Sequence, residues 1–301
     1  MVSVAGPTAV GKTATAIELA RYFKTHILSA DSRQFYREMN VGTAKPTPEE
    51  LASAPHHFIN SHAITDSFNV GDFEKQGLIE LTELFQQHDV ALLAGGSGLY
   101  LKAITEGFDD LPDFDPAIRK RLNESYAMHG IGILQEKLKL ADPEYYTQVD
   151  LNNPQRIIRA LEVFESSGQT YSSYRKGSIK QRPFQIIKIG LDLPREQLYE
   201  RINQRVDTMI AAGLVDEVKQ LIPYRRLNAL NTVGYTEIFN YLDGKTTLDN
   251  AIEMIKQNTR RFAKRQLTWF RKDKDIQWFL PTDVSAMINY INEIIAARSN
   301  A

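Results

Sequence analysis

The residues Gly6-Pro7-Thr8-Ala9-Val10-Gly11-Lys12-Thr13 carry the spacing GxxxxGK[ST], which is a phosphate-binding pattern when a strand precedes it and a helix follows. The two glycines let backbone N–H groups close round phosphate oxygens, and the N-terminus of the following helix adds a favourable dipole. Lys12 adds a point charge, and the Thr13 hydroxyl is placed to ligate Mg²⁺. Such loops most often serve hydrolysis or transfer of the phosphate of ATP or GTP. Their usual companion is an additional Asp at the end of a core strand, which helps hold the metal. Here the strand within residues 89–96 ends Gly95-Gly96-Ser97, with no acid. Asp31, closing "HILSAD" at 26–31, is the one carboxylate at a recognisable strand end. At this point it is open whether Asp31 is a metal ligand, a base or a plain turn residue. The phosphate cradle is clear and the phosphorylated substrate is not.

These groups need elements to hold them. Residues 2–5 read as a short buried strand and Thr13 to Phe23 as a helix with Ala16, Leu19, Ala20 and Phe23 on one side. Strands follow at 26–31 and 89–96, with a helix from about Asp72 to His88 between them. Strand, helix, strand in alternation predicts an α/β fold: a P-loop NTPase-like parallel sheet flanked by helices, with right-handed crossovers. The loop, Asp31 and Ser97 then meet beyond the carboxyl ends of the strands. Near residue 110 the character changes. "DDLPDFDPAIRKRL" brings turn residues and acids, helical patterns run through 118–128, 131–140 and 154–167, and "SSGQTYSSYRKGS" is polar and loose. This predicts a mostly helical insertion over 111–182 within a discontinuous core domain of 1–110 and 183–301. "FQIIKIGLDL" at 184–193 returns to the sheet, and helices are expected at 195–211, 214–223, 234–242, 247–272 and 283–297. The adjacent histidines in "APHHFI", 54–59, lack a third ligand and read as local structure.

Composition narrows the class. The chain has 301 residues, which suggests about two domains, with 43% hydrophobic and 24% charged residues, ordinary values for a soluble globular protein. It has no cysteine, which excludes disulfides, zinc fingers and a thiol nucleophile. No apolar run is long enough to span a bilayer and no basic, apolar leader opens the chain, so a cytoplasmic protein that does not engage a membrane is expected. With 36 Lys+Arg against 37 Asp+Glu, the net charge is −1, and any attraction to nucleic acid must come from local clustering. No exposed apolar seam stands out, so a monomer without an obligate protein partner is expected.

Several motifs occur together in order: "GPTAVGKT", "SADSRQFYREMNVGTAKPT", "APHHFI", "FNVGDF", "AGGSGLYLKAI", "NNPQRIIRALEVF" and "RFAKRQLTWFR". Across nearly the whole chain they closely resemble the tRNA dimethylallyltransferases, the bacterial-type tRNA isopentenyltransferases. The resemblance implies that the loop holds the diphosphate of dimethylallyl diphosphate rather than ATP. It implies Mg²⁺-dependent transfer of the five-carbon group to N6 of the adenine at tRNA position 37, beside the anticodon, with loss of diphosphate. Asp31 would then be the general base or hydrogen-bond acceptor for the adenine amino group. Ser32, Arg33, Gln34, Ser97, Arg119 and the stretch Gln155, Arg156, Ile157, Ile158 and Arg159 would contact the tRNA anticodon stem–loop. In this chain Ser97 keeps the hydroxyl of a position that relatives fill with Thr.

The chemistry is coherent on its own terms. An allylic diphosphate ionises readily, so the demanding feature is negative charge on the leaving group. Lys12, the loop amides, Mg²⁺ on Thr13 and nearby arginines would stabilise it. Arg201 and Arg205, four apart in "ERINQRVD", share one helix face and are either diphosphate ligands or solvated helix arginines. Adenine N6 is a poor nucleophile, which gives a proton-accepting carboxylate a purpose. Residues 256–274 carry Lys256, Arg260, Arg261, Lys264, Arg265, Arg271, Lys272 and Lys274; the first five cover about half of a helical wheel. Ile252, Ile255, Phe262, Ala263, Trp269 and Phe270 fall on the other side and are expected in the core. The basic arc, with Arg260 and Lys264, is either a solvated face or, given the resemblance, an RNA-facing one. Free-nucleotide isopentenyl transfer, small-molecule phosphotransfer and non-catalytic RNA binding are the competing functions. The first leaves the basic helix without a purpose, the second lacks its strand-end acid, and the third leaves the cradle and Asp31 unexplained.

Overall fold

The structure, a computed structural model, describes residues 1–112, 115–177 and 179–299. Asp113, Phe114 and Ser178, which belong to the expected turn and loose segments, lie outside the described residues. The chain divides into two compact units, residues 1–106 with 182–301 and residues 107–181; the second begins four residues earlier than the expected insertion.

The larger unit is built on six strands: β1 Val2–Ala5, β2 Ile27–Ser29, β3 His56–His57, β4 Leu92–Gly95, β5 Ile187–Leu191 and β6 Gln277–Phe279. Every pairing is parallel and the order is β3-β2-β4-β1-β5-β6. The four-residue strands β1 and β4 are buried throughout, because helices cover both faces and leave no polar side. Strand alternation sends Val2, Val4, Leu92 and Ala94 into one cluster with Leu19 and Ile291, and Ala5, Leu28, Ala91 and Leu93 into another with Phe35, Phe73 and Ile104. The covering helices include α1 Lys12–Phe23, α2 Pro48–Ser53, α3 Val70–Leu84 and α4 Gly98–Thr105.

The smaller unit holds α5 Pro116–His129, α6 Ile131–Ala141, α7 Pro143–Gln148, α8 Pro154–Ser167 and α9 Tyr171–Tyr174. Its starts follow the sequence: Asp115, Asp142 and Asn153 cap helices whose first residue is proline. Its core is Leu122, Leu134, Leu138, Ile157, Ile158 and Leu161.

The chain then returns to the sheet and closes with α10 Arg195–Ala211, α11 Leu214–Gln220, α12 Tyr235–Leu242, α13 Leu248–Phe270 and α14 Val284–Ser299. Tyr235, fully buried, centres a third cluster among α10 to α13. Strand β6 was not expected: three residues, of which Gln277 is exposed, carry too little pattern against the helices on either side. Among the described residues no helix is long and apolar enough to cross a membrane.

Candidate active site

Strands β1, β2 and β4 end side by side, so the loops that leave them converge. The first is the cradle, which wraps from Gly6 to the start of α1. Gly11 at its close has φ 114°, a conformation that L side chains rarely adopt. Lys12 Nζ folds back and donates to Pro7 O at 2.7 Å. From α10, Arg201 reaches Val10 O at 3.2 Å and Arg205 reaches Thr8 Oγ1 at 3.4 Å, so the two arginines do share one face and it is turned on the cradle. Burial, reinforced by Arg205 and opposed by Asp31, pushes the Lys12 ammonium down to about 7.

The second loop, after β2, places Asp31 opposite. Its Oδ1 accepts from Arg33 N at 2.9 Å and Gln34 N at 3.4 Å, an Asx turn that fixes the carboxylate. Gln34 spends its amide internally, donating from Nε2 to Thr43 O and Ala44 O, 3.2 and 3.3 Å. The third loop, after β4, sets Ser97 Oγ to accept from Ser32 N at 3.1 Å. Together the loops form a crevice of about 790 Å³ lined by Lys12, Thr13, Asp31, Ser97, Arg205 and Phe262, among others. Its size suits a small ligand with part of a larger one.

Two anchoring residues escaped the sequence. Gln266, buried on α13, accepts from Thr8 N at 2.9 Å through Oε1 and donates to Gly96 O at 2.8 Å through Nε2. It ties the cradle to the third loop, and Gly96 is required there: a Cβ would stand 2.5 Å from Gln266 Nε2. Glu217 on α11 accepts from Asn40 N, Val41 N and Gly42 N at 2.9, 2.7 and 3.0 Å, and from the Tyr235 hydroxyl at 2.7 Å. It pins the far end of the second loop. The quoted motifs contain Gln266, but its period alone gives no partner, and Glu217 lies in no motif.

Replacing Gln266 with Leu should leave the part-buried Thr8 amide and the buried Gly96 carbonyl without partners, the carbonyl alone costing about 1–3 kcal/mol. Thermal melts should show lower stability, and turnover with saturating acceptor should fall about tenfold or more. The pKa of Lys12 gives a further expectation. A bound diphosphate would draw the proton back to the amine, so above pH 7 binding takes up a proton and weakens as pH rises, by at most about tenfold per unit. Calorimetry of inorganic diphosphate at pH 8, in buffers of different ionisation enthalpy, measures the net exchange, and the excess uptake of wild type over Lys12→Ala is the part due to Lys12; no excess is expected at pH 5.5.

Other expected site residues are placed as follows. Arg33 NH2 donates to Asn228 O at 3.3 Å. In the smaller unit Arg119 and Arg159 both donate to Glu162, at 3.0 and 2.8 Å, and Arg119 also meets Gln155 at 3.0 Å; Arg156 is exposed. Ile157 and Ile158 are corrected: both are fully buried in the helical core, so they pack rather than touch RNA. On α13, Lys264 is exposed, whereas Arg260 donates to Asn203 at 2.6 Å and Lys256 pairs with Asp207 at 2.8 Å. Phe262 and Trp269, expected in the core, are 40% and 44% exposed. His57 has both ring nitrogens engaged, one by Glu80 at 2.9 Å and one by His26 at 3.0 Å.

A parallel sheet with GxxxxGK[ST] between its central strand and first helix defines a P-loop α/β protein. Within that class the chain belongs to the IPP transferase family, whose model matches residues 34–273. It is 55% identical over 279 residues to the tRNA dimethylallyltransferase of Christiangramia forsetii, covering 93% of this chain and 92% of that one. It is 48% identical to tRNA dimethylallyltransferase 1 of Phocaeicola vulgatus, covering 98% of each. Among solved structures, the full-length tRNA isopentenylpyrophosphate transferase of Bacillus halodurans is similar with TM-score 0.73 and 37% identity, over 99% of this chain and 97% of that one. A eukaryotic dimethylallyltransferase acting on tRNA matches with TM-score 0.78 and 26% identity, over all of this chain and 78% of that one.

Proposed function

We infer that the protein transfers the dimethylallyl group of dimethylallyl diphosphate to N6 of adenine 37 of a tRNA, releasing diphosphate. The observation that carries this is that Asp31 and the phosphate cradle line one crevice, in a chain of the IPP transferase family. The cradle amides, Lys12, Arg201 and Arg205 bind the diphosphate and take its charge as the carbon–oxygen bond breaks. The N6–carbon bond forms, and the proton from N6 goes to the Asp31 oxygen that the backbone does not use. Ser97 and Ser32, joined to each other beside Asp31, bound the acceptor side.

Mg²⁺ fits this donor set of hard oxygens: Thr13 heads α1 in the crevice wall, and a diphosphate and water would complete the coordination. It would neutralise charge on the leaving group. Arg119, Gln155, Arg156 and Arg159 from the smaller unit, with Lys264 and Arg260 from α13, are the proposed contacts to the anticodon stem–loop. Glu162 holds Arg119 and Arg159 ready for it.

The test is to incubate the protein with labelled dimethylallyl diphosphate, Mg²⁺ and unmodified tRNA, AMP or ATP separately. Label in tRNA alone is the expected result. Label in AMP or ATP but not in tRNA would establish the free-nucleotide reaction instead.

A further inference from the structure

Phe262 and Trp269 are seven residues apart on α13, two helical turns, so they share one stripe about 10 Å long. Arg265 and Gln266 lie between them. The stripe runs along the crevice: Phe262, Arg265 and Gln266 line it, and Gln266 is bound to Gly96 O. Trp269 continues onto its rim at Gly98, where an added Cβ would fall 2.3 Å from indole Cδ1 and Nε1. Ser97, between those two glycines, holds the Ser32 amide beside Asp31. The aromatic stripe therefore borders the wall against which the acceptor must sit.

Its surroundings are cationic. Arg265 is exposed on the stripe itself, with its guanidinium 5.7 Å from the centroid of the Phe262 ring, and the exposed Lys272 follows two residues beyond the end of α13. Large aromatics exposed among cations suit bases carried on a polyanionic strand better than an apolar protein surface. We propose that Trp269 and Phe262 form a stacking ledge for the nucleobases that flank the acceptor adenine in a single-stranded RNA loop. The proposal rests on the RNA-acceptor reading above. An adenine that brings N6 to Asp31 has left its stack, and each neighbouring base has lost a stacking face. An aromatic ring at the rim replaces that face without reading the base's identity.

The chain has two tryptophans, Trp269 and Trp278, so Trp278→Phe leaves one indole reporter at the ledge. Titrating that variant with an anticodon stem–loop RNA should quench its fluorescence, with the same Kd as the anisotropy of a labelled RNA. Trp269→Ala should raise the KM for RNA about tenfold or more and leave the Kd for dimethylallyl diphosphate unchanged, Trp269→Phe should recover most of the loss, and Phe262→Ala should give a smaller rise. RNA that binds by anisotropy without changing indole fluorescence overturns the ledge and leaves the reaction standing. So does an unchanged KM in Trp269→Ala. RNA that does not bind at all removes the RNA-acceptor reading, and the ledge with it.

Discussion

Asp31→Ala should reduce prenyl transfer by about 10²–10⁴-fold while the protein still folds and still binds dimethylallyl diphosphate. The role seen in the structure and the role proposed for catalysis fall on separate atoms of the carboxylate. Oδ1 closes the turn through Arg33 N and Gln34 N, and Oδ2 makes no hydrogen bond to the described residues. Asp31→Asn separates them: the amide oxygen can still take the two N–H groups, but the side chain cannot accept the adenine proton. Asn should therefore match Ala in turnover and exceed it in thermal stability. Single-turnover rates with saturating donor and tRNA, beside a thermal melt, measure both. Wild-type turnover in either variant would remove Asp31 from the mechanism.

Lys12→Ala should weaken donor binding and slow transfer together, the latter by about 10²–10³-fold, because the group acts on charge that grows as diphosphate leaves. The geometry argues for more than a ground-state contact. The amine is desolvated, folded against Pro7 O, and close to Arg205, so it is disfavoured as a cation until an anion arrives. Arg205→Gln should therefore raise the pH at which binding of diphosphate begins to fail, although it removes a positive charge of its own. Direct binding of inorganic diphosphate across pH 6 to 9 tests the pair, and identical pH profiles for wild type and Arg205→Gln would refute the coupling.

The α/β class, the cradle, Asp31 and the helical stretch that forms the smaller unit were legible because each has a local signature. Gly11-Lys12-Thr13 needs only its own spacing, and Pro154 after Asn153 marks a helix start wherever it occurs. What failed depended on the facing partner. Heptad position put Phe262 and Trp269 on the same side as Ile255, and they are on that side. Ile255 edges the crevice too, but it is buried in the cluster around Tyr235, whereas Phe262 stands at the crevice 40% exposed. A period gives an angle round the axis and says nothing of what lies across from it. Ile157 and Ile158 show the converse: they belong to a motif stretch with exposed polar members, yet both are fully buried. Gln266 and Glu217 make their bonds to residues 258 and 177 positions away at the farthest, a relation that no local pattern encodes.

Glu217 has one more bearing on a protein that meets many phosphates. Three successive amides at Asn40, Val41 and Gly42 make an anion nest, and a carboxylate of the chain already fills it. Among the described residues no carboxylate accepts from the backbone of the cradle at Gly6–Thr13. A polynucleotide brings a phosphate with every residue, and a stray one lodged in the second loop would compete with the intended diphosphate for the protein's attention. By stoppering one concavity from within, the fold leaves phosphates to be sorted by where they can lodge, and under the proposed function this would give the prenyl donor an address of its own.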